Sequence, residues 1–304
     1  MRTSSRLELT RRQLLVGGGA AAAVLLAGCG SDSTSAGSSG DDGGPGSTSG
    51  ASGSLALAQF FGGPTFVPGR EVRLPFGVAD QDGLLPVART PERLEVRLLD
   101  AAGGDVADPV EVRRHADGLP RAYFPLLATF DAPGIYTART EVDGVGAEMS
   151  IKVDAPEDVT VLGSGDRMPA VETPTVGDPR GVTPICTAEP ICPLHDVSLA
   201  AALADGSPVA LLVASPKFCQ IAICGPVLDI LLGVRDDHPA VRFLHAEVYM
   251  DPAKDLDAST PIVAELGLHF EPCLVLVDGG GVVIDRVDTI FDRVELSERL
   301  AALA

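Results

Sequence analysis

Between residues 55 and 154, apolar and polar positions alternate in short runs at 71–76, 92–99, 122–130, 136–142 and 147–153, each bounded by turn-forming residues. A period of two places every second side chain on one face, so these runs predict half-buried strands. Their regular spacing predicts an antiparallel sandwich over 55–155. From residue 195 the pattern changes. Apolar runs at 208–215, 241–248 and 273–277 are separated by helical stretches at 197–204, 226–234 and 261–266. A second short run, 282–286, faces 273–277 across Asp278-Gly279-Gly280-Gly281, and Asp292 is placed to cap a last helix to 303. Apolar strands alternating with helices predict an α/β unit with a parallel core and an antiparallel edge hairpin.

The first 54 residues follow neither pattern. Thr10-Arg11-Arg12-Gln13-Leu14-Leu15 precedes an apolar run ending in small residues, and Leu26-Ala27-Gly28-Cys29 closes it. The first stretch resembles a twin-arginine export motif and the second the lipobox of bacterial lipoproteins. That resemblance implies an export signal over 1–29, with Arg11 and Arg12 as its signal residues, cleavage before Cys29, lipidation of the Cys29 sulfur and an extracytoplasmic protein anchored to the cell membrane. Residues 14–27 are too short and glycine-rich to cross about 30 Å of hydrocarbon. Residues 30–54 hold only Gly, Ser, Ala, Thr, Asp and Pro, a composition that cannot bury a core and predicts a flexible tether.

Charge narrows the partners. The chain carries 23 basic and 42 acidic residues, a net charge of −19. Losing Arg2, Arg6, Arg11, Arg12 and Glu8 with the leader would take this to −22. Such a surface repels nucleic acid and anionic lipid, so membrane attachment is expected through acyl chains alone.

Residues 156–194 are proline-rich and read as an extended connector lying on the next domain. Within them Cys186 and Cys192 bracket the loop Cys-Thr-Ala-Glu-Pro-Ile-Cys. In an oxidising compartment a structural disulfide is expected between them. A metal would need further ligands, and only His195 is close in sequence, so no metal is expected.

The stretch Ser215-Pro216-Lys217-Phe218-Cys219-Gln220-Ile221-Ala222-Ile223-Cys224-Gly225-Pro226 carries the candidate chemistry. Pro226 suits a first helical turn, where its missing N–H costs nothing. Cys224 would then open a helix, whose unpaired N–H groups stabilise thiolate, with Cys219 upstream in the loop. On one regular helix, residues five apart lie roughly 7.5 Å apart along the axis, too far for a disulfide. The segment between them is therefore expected to be non-helical.

The cysteine after the first long strand, Glu271-Pro272 before the third and the turn 278–281 together resemble the thioredoxin superfamily, over about 195–304. The resemblance implies a cis peptide at Pro272 facing the cysteines, with Glu271 and Pro272 holding an extended substrate through backbone hydrogen bonds. It also implies catalysis by Cys219 and Cys224. A register that sets Cys224-Gly225-Pro226 on the family's Cys-Gly-Pro-Cys leaves Val227 at the second cysteine, so the attacking sulfur stays open, with Cys219 favoured because it is expected to be the more exposed. The chain departs from the family in its four intervening residues, its lack of tryptophan and the absence of a buried acid in Ala210-Leu211-Leu212-Val213-Ala214. Asp131-Ala132-Pro133-Gly134-Ile135-Tyr136 resembles the entry to a late strand in bacterial immunoglobulin-like domains.

The expected fold is thus multidomain: an all-β immunoglobulin-like sandwich followed by an α/β thioredoxin-like domain. The expected function is thiol–disulfide exchange with exported proteins, without an organic cofactor and with the electron partner left open. Three alternatives stay open. The cysteine spacing also resembles bacterioferritin-comigratory peroxiredoxins, although Pro216 and Pro272 stand where a hydroxyl residue and an arginine would be. A copper chaperone would use the pair with His269. A non-catalytic lipoprotein would keep both pairs as structural disulfides. Cys273 is expected to be a small buried hydrophobe.

Overall fold

A computed structural model describes residues 54–61 and 65–303. The expected export signal, Arg11, Arg12, Cys29 and almost all of the tether lie outside the described residues. What is described is mainly β-sheet, with four short α-helices.

Two antiparallel sheets come first. In one, β2 (Glu71–Asp80) pairs with β1 (Ala56–Gln59), β3 (Gly83–Leu84) and β6 (Phe124–Thr129). In the other the order is β5 (Val110–Arg113), β4 (Arg93–Leu99), β7 (Gly134–Val142), β8 (Val145–Val153). The period of two is plain in β4: Leu94, Val96 and Leu98 are buried while Arg93, Glu95 and Arg97 point to solvent. Side chains from both sheets, among them Leu74, Phe76, Val96, Phe124, Leu126 and Ile151, make one core.

The second region is built on a four-stranded sheet in the order β10 (Arg242–Ala246), β9 (Val209–Val213), β13 (Cys273–Val277), β14 (Val283–Asp288). Only β9 and β10 run parallel; β13 joins the other side of β9 antiparallel and carries β14 with it. Both β9 and β13 are buried at every position, because both faces of the sheet are covered. Ala210, Leu212, Leu274 and Leu276 face α2 (Cys224–Val234) and α4 (Arg293–Leu300). Val209, Leu211, Cys273 and Val275 face α1 (Leu199–Ala204), α3 (Pro261–Glu265) and the first part of the connector. A small hairpin of β11 (Tyr249–Asp251) and β12 (Asp255–Ser259), not foreseen from the sequence, follows β10.

The connector lies along this second region through backbone hydrogen bonds such as Met168 N–H to Gly281 O (2.9 Å) and Thr183 N–H to Met250 O (2.8 Å). A buried ionic junction ties the sandwich to the α/β region. Arg73 of β2 donates to both carboxylate oxygens of Glu295 in α4 (2.6 and 2.7 Å) and to the Asp288 carbonyl (2.9 Å). Tyr123 donates to Glu295 and accepts from the Asp292 N–H at 2.9 Å. Tyr123 belongs to the α/β core and Phe124, next in the chain, to the sandwich core. Burial alone would push the Glu295 carboxyl up; Arg73, with Arg299 behind it, overrides this and holds it down at about 2.

Candidate functional site

The end of β9 delivers the chain to Ser215, buried and fastened on three sides. Its N–H donates to Glu271 Oε2 (2.7 Å), its hydroxyl donates to Glu247 Oε2 (2.6 Å), and the same hydroxyl accepts from Val248 N–H (3.1 Å). From this anchor, turns carry the chain through Cys219 to Cys224, where α2 begins. The intervening segment is non-helical, and Ala222 takes a left-handed φ of 55° within it.

The two sulfurs differ sharply in setting. Cys224 is fully buried and Cys219 half-exposed. Cys219 Sγ accepts the Cys224 N–H at 3.4 Å. A hydrogen bond from the Cys224 thiol, aided by the N–H groups of Cys224, Ile221 and Ile223, holds the Cys219 thiol down at about 5, against the opposing effect of partial burial. The sulfur held down is thus the upstream loop Cys219 and not Cys224 at the helix start, and its largest support is the Cys224 side chain. Burial, with the neighbouring Cys219 sulfur and Glu271, pushes the Cys224 thiol far up.

The Glu271 side chain, to which the sequence reading gave no role, belongs to the same site. It turns inward, with Oε2 3.5 Å from Cys224 Sγ and accepting the Ser215 N–H, while Oε1 accepts from the Tyr249 hydroxyl at 3.3 Å. Burial pushes this carboxyl up to about 7, with the Ser215 N–H pulling the other way. A buried acid thus comes to the pair from the turn before β13. The Glu271–Pro272 peptide is cis, and the Pro272 carbonyl is already engaged by the Thr289 N–H (2.8 Å).

Cys186 and Cys192, for which the sequence leads to an expected disulfide, carry free thiols in this structure, as do Cys219 and Cys224. Each has another partner: His195 Nε2 lies 3.3 Å from Cys192 Sγ, and His245 Nδ1 lies 3.4 Å from Cys192 Sγ and 3.7 Å from Cys186 Sγ. His245 is the member that sequence spacing missed, because it comes from β10, 53 positions after Cys192. Its signal was a histidine inside a run otherwise read as core strand.

The remaining candidates lie elsewhere. Cys273 is buried on the other face of the sheet from Cys224, its sulfur 3.6 Å from Asp288 Oδ1. His269 is exposed and stands outside the sulfur–imidazole cluster found among the described residues. The Ser215 hydroxyl, the nearest to the position a peroxidase would use, is taken up by Glu247 and Val248. A cleft of about 270 Å³ lined by Leu194, Asp196, Arg235, His238 and Arg242 contains none of the cysteines.

No protein-family model matches the chain, and no curated protein matches it. Among solved structures it is similar to MTB dsbF in its mixed oxidized and reduced forms, at 21% identity over 45% of this chain and 99% of that one, with a TM-score of 0.32. It is also similar to the Titin M10-Obscurin like 1 Ig complex (18% identity, 33% and 94% covered, TM-score 0.19) and to the ZirS C-terminal domain (14%, 46% and 99%, 0.20). At these values the likenesses carry no functional weight.

Proposed function

We propose that this chain is a thiol–disulfide exchange protein, its α/β region thioredoxin-like and its sandwich immunoglobulin-like. In this reading a lipidated Cys29 holds it at the extracytoplasmic face of the cell membrane, where it acts on exported proteins. One observation carries the chemistry: a half-exposed Cys219 sulfur, stabilised as thiolate, stands over a buried Cys224 whose sulfur lies 3.5 Å from the Glu271 carboxylate.

The residues divide the work as follows. Cys219 thiolate attacks one sulfur of a substrate disulfide; a Cys219–substrate S–S bond forms, the substrate S–S bond breaks, and the far sulfur leaves as a thiolate. Glu271 then takes the Cys224 proton, and the Cys224 thiolate attacks the Cys219 sulfur. The Cys219–Cys224 disulfide forms and the second substrate sulfur leaves, so the substrate gains two electrons and the protein loses two. Run backwards, the same steps oxidise a substrate dithiol. A carboxyl held near 7 is matched to accept and return one proton at neutral pH.

Equilibration of the full chain with glutathione buffers, followed by thiol trapping and mass mapping, tests this reading. A Cys219–Cys224 couple in the range of known oxidoreductases, about −120 to −270 mV, supports it; a couple below about −300 mV marks a structural bond and overturns it.

A further inference from the structure

The exchange chemistry makes no use of the second sulfur cluster. Cys186, Cys192, His195 and His245 are all buried, and one donor atom from each lies within 4.8 Å of every other. A tetrahedral zinc site has Zn–S bonds of about 2.3 Å and Zn–N bonds of about 2.0–2.1 Å, which places sulfur and nitrogen ligands about 3.6 Å apart. Three of the four sulfur–nitrogen separations here are 3.3, 3.4 and 3.7 Å, and the fourth, Cys186 to His195, lies within 4.8 Å. The sulfur and nitrogen donors already stand close to ligand spacing.

Their surroundings point the same way. His245 donates its Nε2–H to the Ala214 carbonyl at 2.9 Å, leaving the Nδ1 lone pair turned towards both sulfurs. That carbonyl contact is the usual device that fixes the tautomer of a ligating histidine. The Cys192 N–H donates to Cys186 Sγ at 3.5 Å, a contact that supports a thiolate. Two thiolates and two neutral imidazoles would cancel the charge of a divalent ion in a buried setting. A Cys186–Cys192 disulfide would instead leave the two buried imidazoles facing no thiolate.

We infer that Cys186, Cys192, His195 and His245 bind one zinc ion. Four protein donors close the coordination sphere, which makes the site structural rather than catalytic. It clasps the last turn of the connector onto the end of β10. The clasp also reaches the exchange loop: Thr187, next to Cys186, donates to Glu247 Oε1 through its hydroxyl (2.9 Å) and accepts the Lys217 N–H (3.2 Å), and Glu247 holds Ser215.

The test is the metal content of the full chain, purified under reducing conditions and given equimolar zinc, then freed of loosely bound ion. One zinc per chain is expected, falling to none in Cys192→Ser and His245→Ala. The double variant Cys219→Ser, Cys224→Ser should keep its zinc, which separates this site from the exchange pair. Should the ligand variants fail to fold, cobalt substitution of the unaltered chain replaces them: thiolate-to-cobalt charge transfer with tetrahedral d–d bands and a two-sulfur, two-nitrogen X-ray absorption shell is the expected signature. Zinc uptake below a tenth of an equivalent, zinc retained by both ligand variants, a cobalt shell without sulfur, or preferential loading of Cu(I) in competition overturns the assignment.

Discussion

Replacing Cys224 with alanine tests the electrostatics at the helix mouth most directly. At pH 7 a thiol held at about 5 is roughly 99% thiolate, against roughly 3% for an ordinary thiol near 8.5. Its intrinsic nucleophilicity falls in compensation, by about 30-fold for a Brønsted slope of 0.4–0.5. Rate is therefore nearly unchanged, and the low value acts on the equilibrium. Ionisation stabilises the reduced protein by at most about 2.7 kcal/mol at pH 7, and screening at a half-exposed sulfur reduces that to about 1.5–2 kcal/mol. The couple should thus be about 30–45 mV more oxidising than one with ordinary thiols. The sign follows from the depressed value: the stabilisation is absent below about pH 5, grows above it and is complete above the ordinary thiol value. Cys224→Ala removes the largest single cause of the depression, a hydrogen bond to a charged group worth about 1.5–3 kcal/mol. The Cys219 midpoint should then rise by about one to two units, while Cys224→Ser, which keeps a hydroxyl donor, should rise less. The assay is the pH dependence of Cys219 alkylation by iodoacetamide, read by peptide mass. An unaltered midpoint in Cys224→Ala, or a wild-type midpoint near 8.5, refutes the reasoning.

Three further outcomes are expected. Glu271→Gln should slow resolution of the Cys219 mixed disulfide by about 10²-fold and abolish its inflection near pH 7, with little change in Cys219 alkylation; trapping of the mixed disulfide on acid quench reads this. Arg73→Met leaves Glu295 buried with only Arg299 opposite and should cost about 3 kcal/mol in urea unfolding, at the low end for a broken buried pair, with Glu295→Met added on top restoring most of it. Because Arg73 holds Glu295 at about 2, against the effect of burial, its contribution is full above the ordinary glutamate value near 4.3 and is lost as pH falls towards 2; Arg73→Met should flatten stability across that window. Gly267→Ala should cost more than about 1 kcal/mol and raise proteolysis of the connector, since φ is +62° and a Cβ would stand 2.4 Å from the Thr160 carbonyl oxygen.

Local chemistry was readable in the chain, and contacts between distant segments were not. The Cys219–Cys224 loop, the Pro226 helix start and the alternation in β4 are each written within a dozen residues. Glu271 was noticed for its place before Pro272, but nothing local says that its side chain turns inward to Cys224. His245 reads as one position in an apolar strand until the connector folds across β10 and brings Cys192 to it. Arg73 alternates in β2 as an outward residue would, and only the approach of α4 buries it. At Cys186 and Cys192 the chain shows sequence proximity alone, because the two imidazoles beside those sulfurs are split between a neighbouring and a remote position.

The junction of Arg73, Tyr123 and Glu295 leaves the two regions little freedom to pivot. On the proposed reading, a protein that gripped the sandwich would be held in a fixed relation to the α/β region that carries Cys219. Substrate choice would then be made by the sandwich surface, with the sulfur reaching only those disulfides that its neighbour has already aimed.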